Sequence, residues 1–386
     1  SSDLSERGYD IEVDDDGSAY VLIGDAGSDF PEIPEGANSQ FTSDIFLVKM
    51  SPDGSSLEYS KKVATRSAEP SDLILIDNEY IGMTGSDREG TYPVTEGAYD
   101  TVFEYKTNCF VSKFTMDAEL VAATYLSGVS VNGGTIGVDQ YNNIFVLGSV
   151  SYYDNYELVP DSFPLSPDAL YTQPKQYESS SFVAKFNPDL SELLYSTLFF
   201  GDSHNMVVDP LGHVYLAGET ENENFPTTEG AYDTTFDGGE GENDAFLTKL
   251  NLDGTGMVFS TFFGSGSFGP VKAISINSDQ HPLVLVQKYA GVSAYEFDSS
   301  GQDIVNSGRI ISGYSYPYST SIYNELVVDT QNNFYVVGGY GAPNETEDLK
   351  VFKYTFEKEP VLVDSDEPPV TFSVRDPHPN PFNPST

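Results

Sequence analysis

The chain has 386 residues, of which 60 are acidic and 18 are Lys or Arg, so its formal net charge is −42. Such a charge repels nucleic-acid phosphates and anionic lipids, which excludes nucleic-acid binding and electrostatic membrane docking from the expected functions. No run approaches the roughly 20 apolar residues that a membrane helix needs. Because 39% of the residues are hydrophobic, with 25 Phe and 26 Tyr, we expect a folded chain with a large core.

Two markers recur along the chain and define repeated units. The first is a strand ending in a charged and then an apolar residue, found at Lys49-Met50, Lys113-Phe114, Lys185-Phe186, Lys249-Leu250, Glu296-Phe297 and Lys353-Tyr354. The second is an aromatic residue followed by proline, found at Phe30-Pro31, Tyr92-Pro93, Phe163-Pro164 and Phe225-Pro226. The spacings of the two markers change together, so they belong to units with loop insertions of different length.

Each unit reads as four short strands joined by turns. In the first unit the predicted strands are Ile11–Val13, Tyr20–Ile23, Asp44–Met50 and Leu57–Val63. In the fourth unit, Asp209-Pro210-Leu211-Gly212 predicts a tight turn between the first two strands. The units cover residues 1–360, with boundaries at about 8–64, 65–128, 129–201, 202–264, 265–310 and 311–360.

This pattern predicts an all-β protein, since no stretch shows a sustained helical period. Four-stranded antiparallel units with long loops are typical of β-propeller blades, and a solenoid is the less favoured alternative. We count six blades. The chain begins at Ser1 without Met or a signal peptide, which suggests a mature or trimmed chain, and a seventh blade is the alternative if the N-terminus is truncated.

One motif resembles a known family. The run NFPTTEGAYD at residues 224–233, followed by NDAFLTKL at 243–250, is similar to the bacterial propeller repeat called the SBBP repeat. The first three units match this pattern in part, whereas the fifth and sixth keep only the strands. The resemblance implies a β-propeller, usually in an exported protein, and it brings no shared catalytic residues. Because the aromatic-Pro and Gly-Ala-Tyr elements recur, we expect them to pack each loop against its blade.

The last residues differ in composition. Residues 361–386 are rich in proline, as in an extended linker. Phe372-Ser373-Val374 followed by PNPFNPST at 379–386 resembles the opening of the C-terminal sorting domain of the type IX secretion system, which exports proteins across the outer membrane of Bacteroidetes. The resemblance implies the secretion machinery as a partner and a secreted or cell-surface location.

The sequence nominates no catalytic residue. There is no P-loop, dinucleotide fingerprint or nucleophile elbow, and the four histidines are widely spaced. The single cysteine, Cys109, lies in an apolar run and is predicted to be a buried strand thiol. Paired carboxylates for glycoside hydrolysis cannot be inferred among 60 acids. Because the same 60 acids are enough to supply such a pair, an extracellular polysaccharide lyase or hydrolase is kept as an alternative function.

A glycine-rich acidic loop is the candidate metal site. Asp237, Glu240, Glu242 and Asp244 place four carboxylates on flexible backbone, as Ca²⁺ prefers, although the spacing is not that of an EF-hand. The alternative is that this loop only adds solvated charge. If the loop binds Ca²⁺, the protein is a calcium-stabilised subunit of an extracellular assembly.

The long loops provide the candidate binding face. In an antiparallel blade the 2–3 and 4–1 connections leave from one face and the short 1–2 and 3–4 turns from the other, so we expect the insertions to gather together. Clustered tyrosines form adaptable contact surfaces. The candidate binding residues are Tyr152, Tyr153, Asp154, Tyr156, Tyr314, Tyr316 and Tyr318. The sequence thus favours a non-catalytic binding or structural module whose partner is a protein, a glycan or another copy of itself.

Overall fold

The computed structural model describes fourteen segments of the chain, and every structural statement below concerns them. They are residues 7–26, 44–65, 67–104, 106–151, 153–154, 157–158, 163–173, 180–238, 243–263, 268–288, 291–312, 325–329, 332–340 and 348–355. The regular structure in these segments is entirely β, which confirms the predicted all-β class. None of their residues belongs to a helix that could cross a membrane.

The strands are short and follow one another at regular intervals. They are β1 (Arg7–Val13), β2 (Ala19–Ala26), β3 (Asp44–Met50), β4 (Leu57–Ala64), β5 (Ala68–Ile76), β6 (Tyr80–Asp87), β7 (Asn108–Thr115), β8 (Leu120–Leu126), β9 (Ser130–Val138), β10 (Ile144–Ser151), β11 (Tyr153–Asp154), β12 (Glu157–Leu158), β13 (Ser180–Phe186), β14 (Leu193–Phe199), β15 (Asp202–Val208), β16 (Val214–Thr220), β17 (Asp244–Leu250), β18 (Met257–Phe263), β19 (Phe268–Ile276), β20 (Pro282–Lys288), β21 (Gly291–Phe297), β22 (Ile304–Ser312), β23 (Glu325–Val328), β24 (Asn333–Tyr340) and β25 (Asp348–Thr355).

These strands form antiparallel sheets in chain order. We number the sheets one to six: β1–β4, β5–β8, then β9, β10, β13 and β14, then β15–β18, β19–β22 and β23–β25. The sixth has three strands within the described residues, and β11 and β12 pair as a small separate hairpin. Each sheet closes its own hydrogen-bond ladder before the next begins.

In the fourth sheet the turn between the first two strands is built around an aspartate. Oδ1 of Asp209 accepts hydrogen bonds from the backbone N–H groups of Leu211 (3.0 Å) and His213 (2.9 Å). Gly212 has a φ of 99°, a conformation that glycine adopts without steric cost. The turn predicted from the sequence is therefore present.

The core lies between neighbouring sheets rather than within one of them. Apolar side chains on facing sides of successive sheets form buried clusters; one joins Leu22 and Leu47 of the first sheet to Met83 and Phe110 of the second. Similar clusters join the second to the third sheet, and so on to the sixth. Cys109 is fully buried in the second of these clusters, which confirms it as a core thiol.

The first strand of each sheet contacts the first strand of the next. This holds for β1 with β5, β5 with β9, β9 with β15, β15 with β19, and β19 with β23. Sheets that stack face to face with their first strands together radiate from a common axis, which is the architecture of a β-propeller. The number of blades in the complete ring stays a prediction.

The recurring loop elements pack against their sheets as expected. Tyr92 stacks on Phe110 of its own sheet, with ring centroids 3.8 Å apart, and Phe225 stacks on Phe246 at 4.6 Å. The backbone N–H of Tyr99 in the long 2–3 loop of the second sheet donates to the carbonyl of Leu190 in the 3–4 turn of the next sheet (2.8 Å). This loop therefore extends as far as the neighbouring sheet.

Candidate binding site

The first strands of the six sheets line a single cavity of about 350 Å³. Each of these strands contributes at least one residue to its wall: Tyr9, Ser71, Gly134, Asn205, Ala273 and Leu326. A cavity of this size, held by strands rather than by loops, is large enough for a small ligand. It lies where the sheets converge, so we call it the central cavity.

Five of these strands carry a β-bulge at the same place. At this place the pairing skips one residue in each strand, namely Tyr9, Ser71, Gly134, His204 and Lys272, and β19 has a second shift nearer its start. A bulge changes the direction of the extra residue, and bulges occur often beside functional sites. We call these positions the bulge ring. Its members are chemically unlike one another, although they occupy equivalent places in a repeated framework.

Acidic and amide side chains next to the bulge ring connect neighbouring sheets. Oδ2 of Asp72, which lines the central cavity, accepts a hydrogen bond from the backbone N–H of Ile136 in the third sheet (2.8 Å). The side-chain amide of Asn205 donates to the carbonyl of Val271 in the fifth sheet (3.3 Å). These contacts hold the wall of the cavity together. Asp72 therefore both connects two sheets and lines the central cavity.

A smaller cleft of about 290 Å³ adjoins the central cavity between the third and fourth sheets. Gly134 lines both spaces, so the two are adjacent. The walls of the cleft are formed by residues of four strands and carry mainly glycine and serine, together with Leu147, Asn132 and Asp202. We call this space the 3/4 cleft.

Most of the tyrosines predicted to bind lie outside the described residues. These are Tyr152, Tyr156, Tyr314, Tyr316 and Tyr318. Tyr153 and Asp154 form β11, which pairs with Glu157–Leu158, and their side chains are not among those described. The hairpin follows β10, whose Ser149 lines the 3/4 cleft. This tyrosine loop thus begins near the cleft.

The predicted metal loop is described only at its two ends. The backbone N–H of Asp237 donates to Oδ2 of Asp244 (3.0 Å), so these two residues do come together. Asp244 is 2% exposed, and burial raises the pKa of its carboxyl group. Glu240 and Glu242 fall outside the described residues. Within the described segments, no three His, Cys, Asp or Glu residues are grouped so that they could hold a metal ion.

The bulge ring was not found from the sequence, although a signal was present. In four units the bulge residue lies five positions before the first residue of the 1–2 turn. The bulge residues Tyr9, Gly134, His204 and Lys272 precede Asp14, Asp139, Asp209 and Asn277 in this way. The second unit requires six residues, because its turn has a different length. Only the strand pairing shows that these positions are equivalent.

The fold and the central cavity place this chain among the β-propellers. No family model matches it, and no curated protein matches its sequence. A solved protein of unknown function from Dyadobacter fermentans is similar over 90% of this chain and 94% of that one, with a TM-score of 0.50 and 11% identity. At that identity the likeness concerns the fold alone.

Two further solved structures show a weaker likeness. Hydrazine synthase from Kuenenia stuttgartiensis matches 86% of this chain and 76% of its own, with a TM-score of 0.45 and 8% identity. Puromycin hydrolase matches 88% of this chain and 44% of its own, with a TM-score of 0.42 and 9% identity. Neither carries an argument about the activity of this chain.

Proposed function

We propose that this chain is an exported, non-catalytic β-propeller that binds a partner at the central cavity and the 3/4 cleft. The observation that supports this most directly is the bulge ring. Turns and core residues repeat from sheet to sheet, whereas the bulge positions differ in residue type, and three of them, Tyr9, Ser71 and Gly134, line the central cavity. A repeated framework with varied side chains at one end is a common way to build a binding surface on a rigid scaffold.

The contacts of the reactive groups support binding rather than catalysis. Both carboxylate oxygens of Asp72 accept backbone hydrogen bonds, from Leu73 at 3.1 Å and from Ile136 at 2.8 Å. A carboxylate engaged in this way holds two strands in register. Burial raises the pKa of the Cys109 thiol to about 12, so it is a poor nucleophile.

Export by the type IX route is part of the proposal. It rests on the resemblance of residues 379–386 to the start of a sorting domain and on the partial match to the SBBP repeat. Deleting residues 379–386 from the protein in its own bacterium should leave it inside the outer membrane. Protease accessibility of whole cells measures this, and unchanged surface exposure would argue against the route.

Saturation-transfer NMR with a library of small polar fragments tests the binding role without knowledge of the partner. Thr135 lines the central cavity, and Thr135→Trp should fill it and remove the fragment signals. Val258→Trp is the matched control, because Val258 is half exposed on the outer strand β18. Signals that survive Thr135→Trp would refute this site. Turnover of polysaccharides added to the same samples would instead establish an enzyme.

A calcium-stabilised assembly subunit is the second candidate, and Asp244 is the observation that favours it. Its buried carboxylate lies beside Asp237, and Ca²⁺ would compensate for the cost of burying charge. The test is the melting temperature in EDTA and in millimolar Ca²⁺ or Mg²⁺ at matched ionic strength. A rise of several degrees with Ca²⁺ alone, lost in Asp237→Ala, would support this candidate, and equal melting temperatures would exclude it.

A further inference from the structure

Small residues of the third sheet border the 3/4 cleft. Before its bulge the third sheet has Gly133, where the second sheet has Pro70. At the start of its third strand it has Ser180, where the first and fourth sheets have Asp44 and Asp244. Gly133 and Ser180 border a space of about 290 Å³ that lies next to the central cavity.

One wall of the cleft contains a buried hydroxyl group without a partner. Ser203 lines the cleft and is 7% exposed, and its Oγ forms no hydrogen bond. The neighbouring hydroxyl of Ser181 is already used, since it donates to the carbonyl of Gly201 (2.9 Å) and accepts from the N–H of Ser203 (3.2 Å). Burying a hydroxyl without a partner costs free energy, so such a group is explained when a ligand supplies the partner.

The chemistry of the other wall groups indicates the ligand. The cleft carries the amide of Asn132, the hydroxyls of Ser149 and Ser180, and the carboxylate of Asp202. Hydroxyl and amide groups can both donate and accept, which suits a ligand that is itself rich in hydroxyl groups. A protein with a net charge of −42 disfavours an anionic ligand, and a single carboxylate gives little selectivity for a cation.

We propose that the 3/4 cleft binds one unit of a neutral saccharide, with Ser203 as a hydrogen-bonding residue; this rests on the proposed binding function. The site recognises the sugar through hydroxyl and amide groups rather than through a stacking platform, which fits a chain without tryptophan. The cleft has room for one sugar ring, and the adjoining central cavity leaves space for the next unit of a chain.

Isothermal titration calorimetry with maltotriose, cellotriose and mannotriose tests the proposal, and trigalacturonate serves as the anionic control. At least one neutral trisaccharide should bind, and trigalacturonate should bind more weakly or not at all. Ser203→Ala should lower the affinity about five-fold or more, the effect of losing one hydrogen bond. It should also raise the melting temperature, because it removes an unpaired buried hydroxyl group.

Ser60→Ala is the matched control. The Oγ of Ser60 is also buried without a partner, but it lies in the first sheet, away from the cleft. This variant should be equally stabilised and should bind as the unchanged protein does. A second variant, Ser149→Phe, should fill the cleft and abolish binding while keeping the cooperative melting transition; if it does not fold, Ser203→Ala decides alone.

Three results would overturn the proposal. They are no binding of any neutral trisaccharide, equal or tighter binding of trigalacturonate, and binding that Ser203→Ala leaves unchanged. In each case, fragment signals that Thr135→Trp removes would still support a binding site at the central cavity. The failure of the saccharide proposal is thereby distinguished from the failure of the proposed function.

Discussion

Oδ2 of Asp10 in β1 lies 3.0 Å from the backbone nitrogen of Leu73 in β5, the first strand of the next sheet, 63 residues further along the chain. The other oxygen of Asp10 accepts the N–H of Ile11 (2.8 Å). One sheet later, Asp72 makes the same contact with Ile136. Each aspartate directly follows a bulge residue, and its carboxylate links that strand to the first strand of the next sheet. We call this contact a latch.

We expect Asp72→Ala to destabilise the protein by about 1–3 kcal/mol, because the N–H of Ile136 loses its acceptor beside the cavity. Asp72→Asn should lose less stability, since an amide oxygen can still accept the hydrogen bond from Ile136. Asp16→Ala, at an exposed acid in the first turn, is the control and should change little. Urea unfolding measures all three, and equal stability of the three variants would contradict the latch.

Asp87 should make stability depend on pH. Burial by itself would raise the pKa of its carboxyl group, but hydrogen bonds from Tyr125 Oη (2.7 Å) and the N–H groups of Tyr92 (2.9 Å) and Glu89 (3.1 Å) outweigh burial and lower it. The folded pKa is therefore below the unfolded value of about 3.9, and the stabilisation is present above that pH and is lost as the pH falls through the folded pKa.

Asp87→Asn should accordingly cost about 2–3 kcal/mol at pH 7, and less as the pH falls below about 4. Denaturant unfolding at pH 7 and at pH 3 measures the difference. If the variant and the unchanged protein differ in free energy of unfolding by the same amount at both pH values, the charge of Asp87 is not responsible for the stabilisation.

Asp244 should behave in the opposite way. Burial raises the pKa of its carboxyl group, so the folded protein holds this proton more tightly than the unfolded chain. Its contribution is fully present below about pH 3.9 and is lost as the pH rises through the folded pKa. In metal-free buffer, Asp244→Asn should raise the melting temperature at pH 7 and have little effect at pH 3.

The first sheet offers the matched control for Asp244. Asp44 occupies the equivalent position at the start of a third strand, but the ammonium of Lys62 lies 2.7 Å from its Oδ2. Asp44→Asn should therefore lower the melting temperature at pH 7, because it leaves Lys62 without its partner. A change of melting temperature in the same direction in both variants would contradict the claim that Asp244 is a buried carboxylate with a raised pKa.

Cys109 should report unfolding. The thiol is fully buried and its pKa is raised to about 12, so the native protein at pH 8 should not react with a thiol reagent such as dithionitrobenzoate. The unfolded chain in urea should react with one equivalent. The labelling rate in dilute urea should then follow the opening of the second sheet, and rapid labelling of the native protein would contradict the burial of Cys109.

The sequence by itself determined the class of fold, the division into sheets and the inner turns. These are local properties. The turn at Asp209–Gly212 closes through contacts within five residues, and the strand pattern shows which residues lie on each face. Repetition of these local signals along the chain was enough to predict four-stranded blades.

Only the tertiary structure decided where the site lies. The tyrosine loops drew attention because they differ between units, but the residues that line the central cavity come from the first strands, where a bulge hides their equivalence. The Asp10–Leu73 latch joins residues 63 positions apart, and the 3/4 cleft depends on glycines and serines brought together from two sheets. Local periodicity does not predict such contacts, because they arise from the register of each strand and from the packing of one sheet against the next.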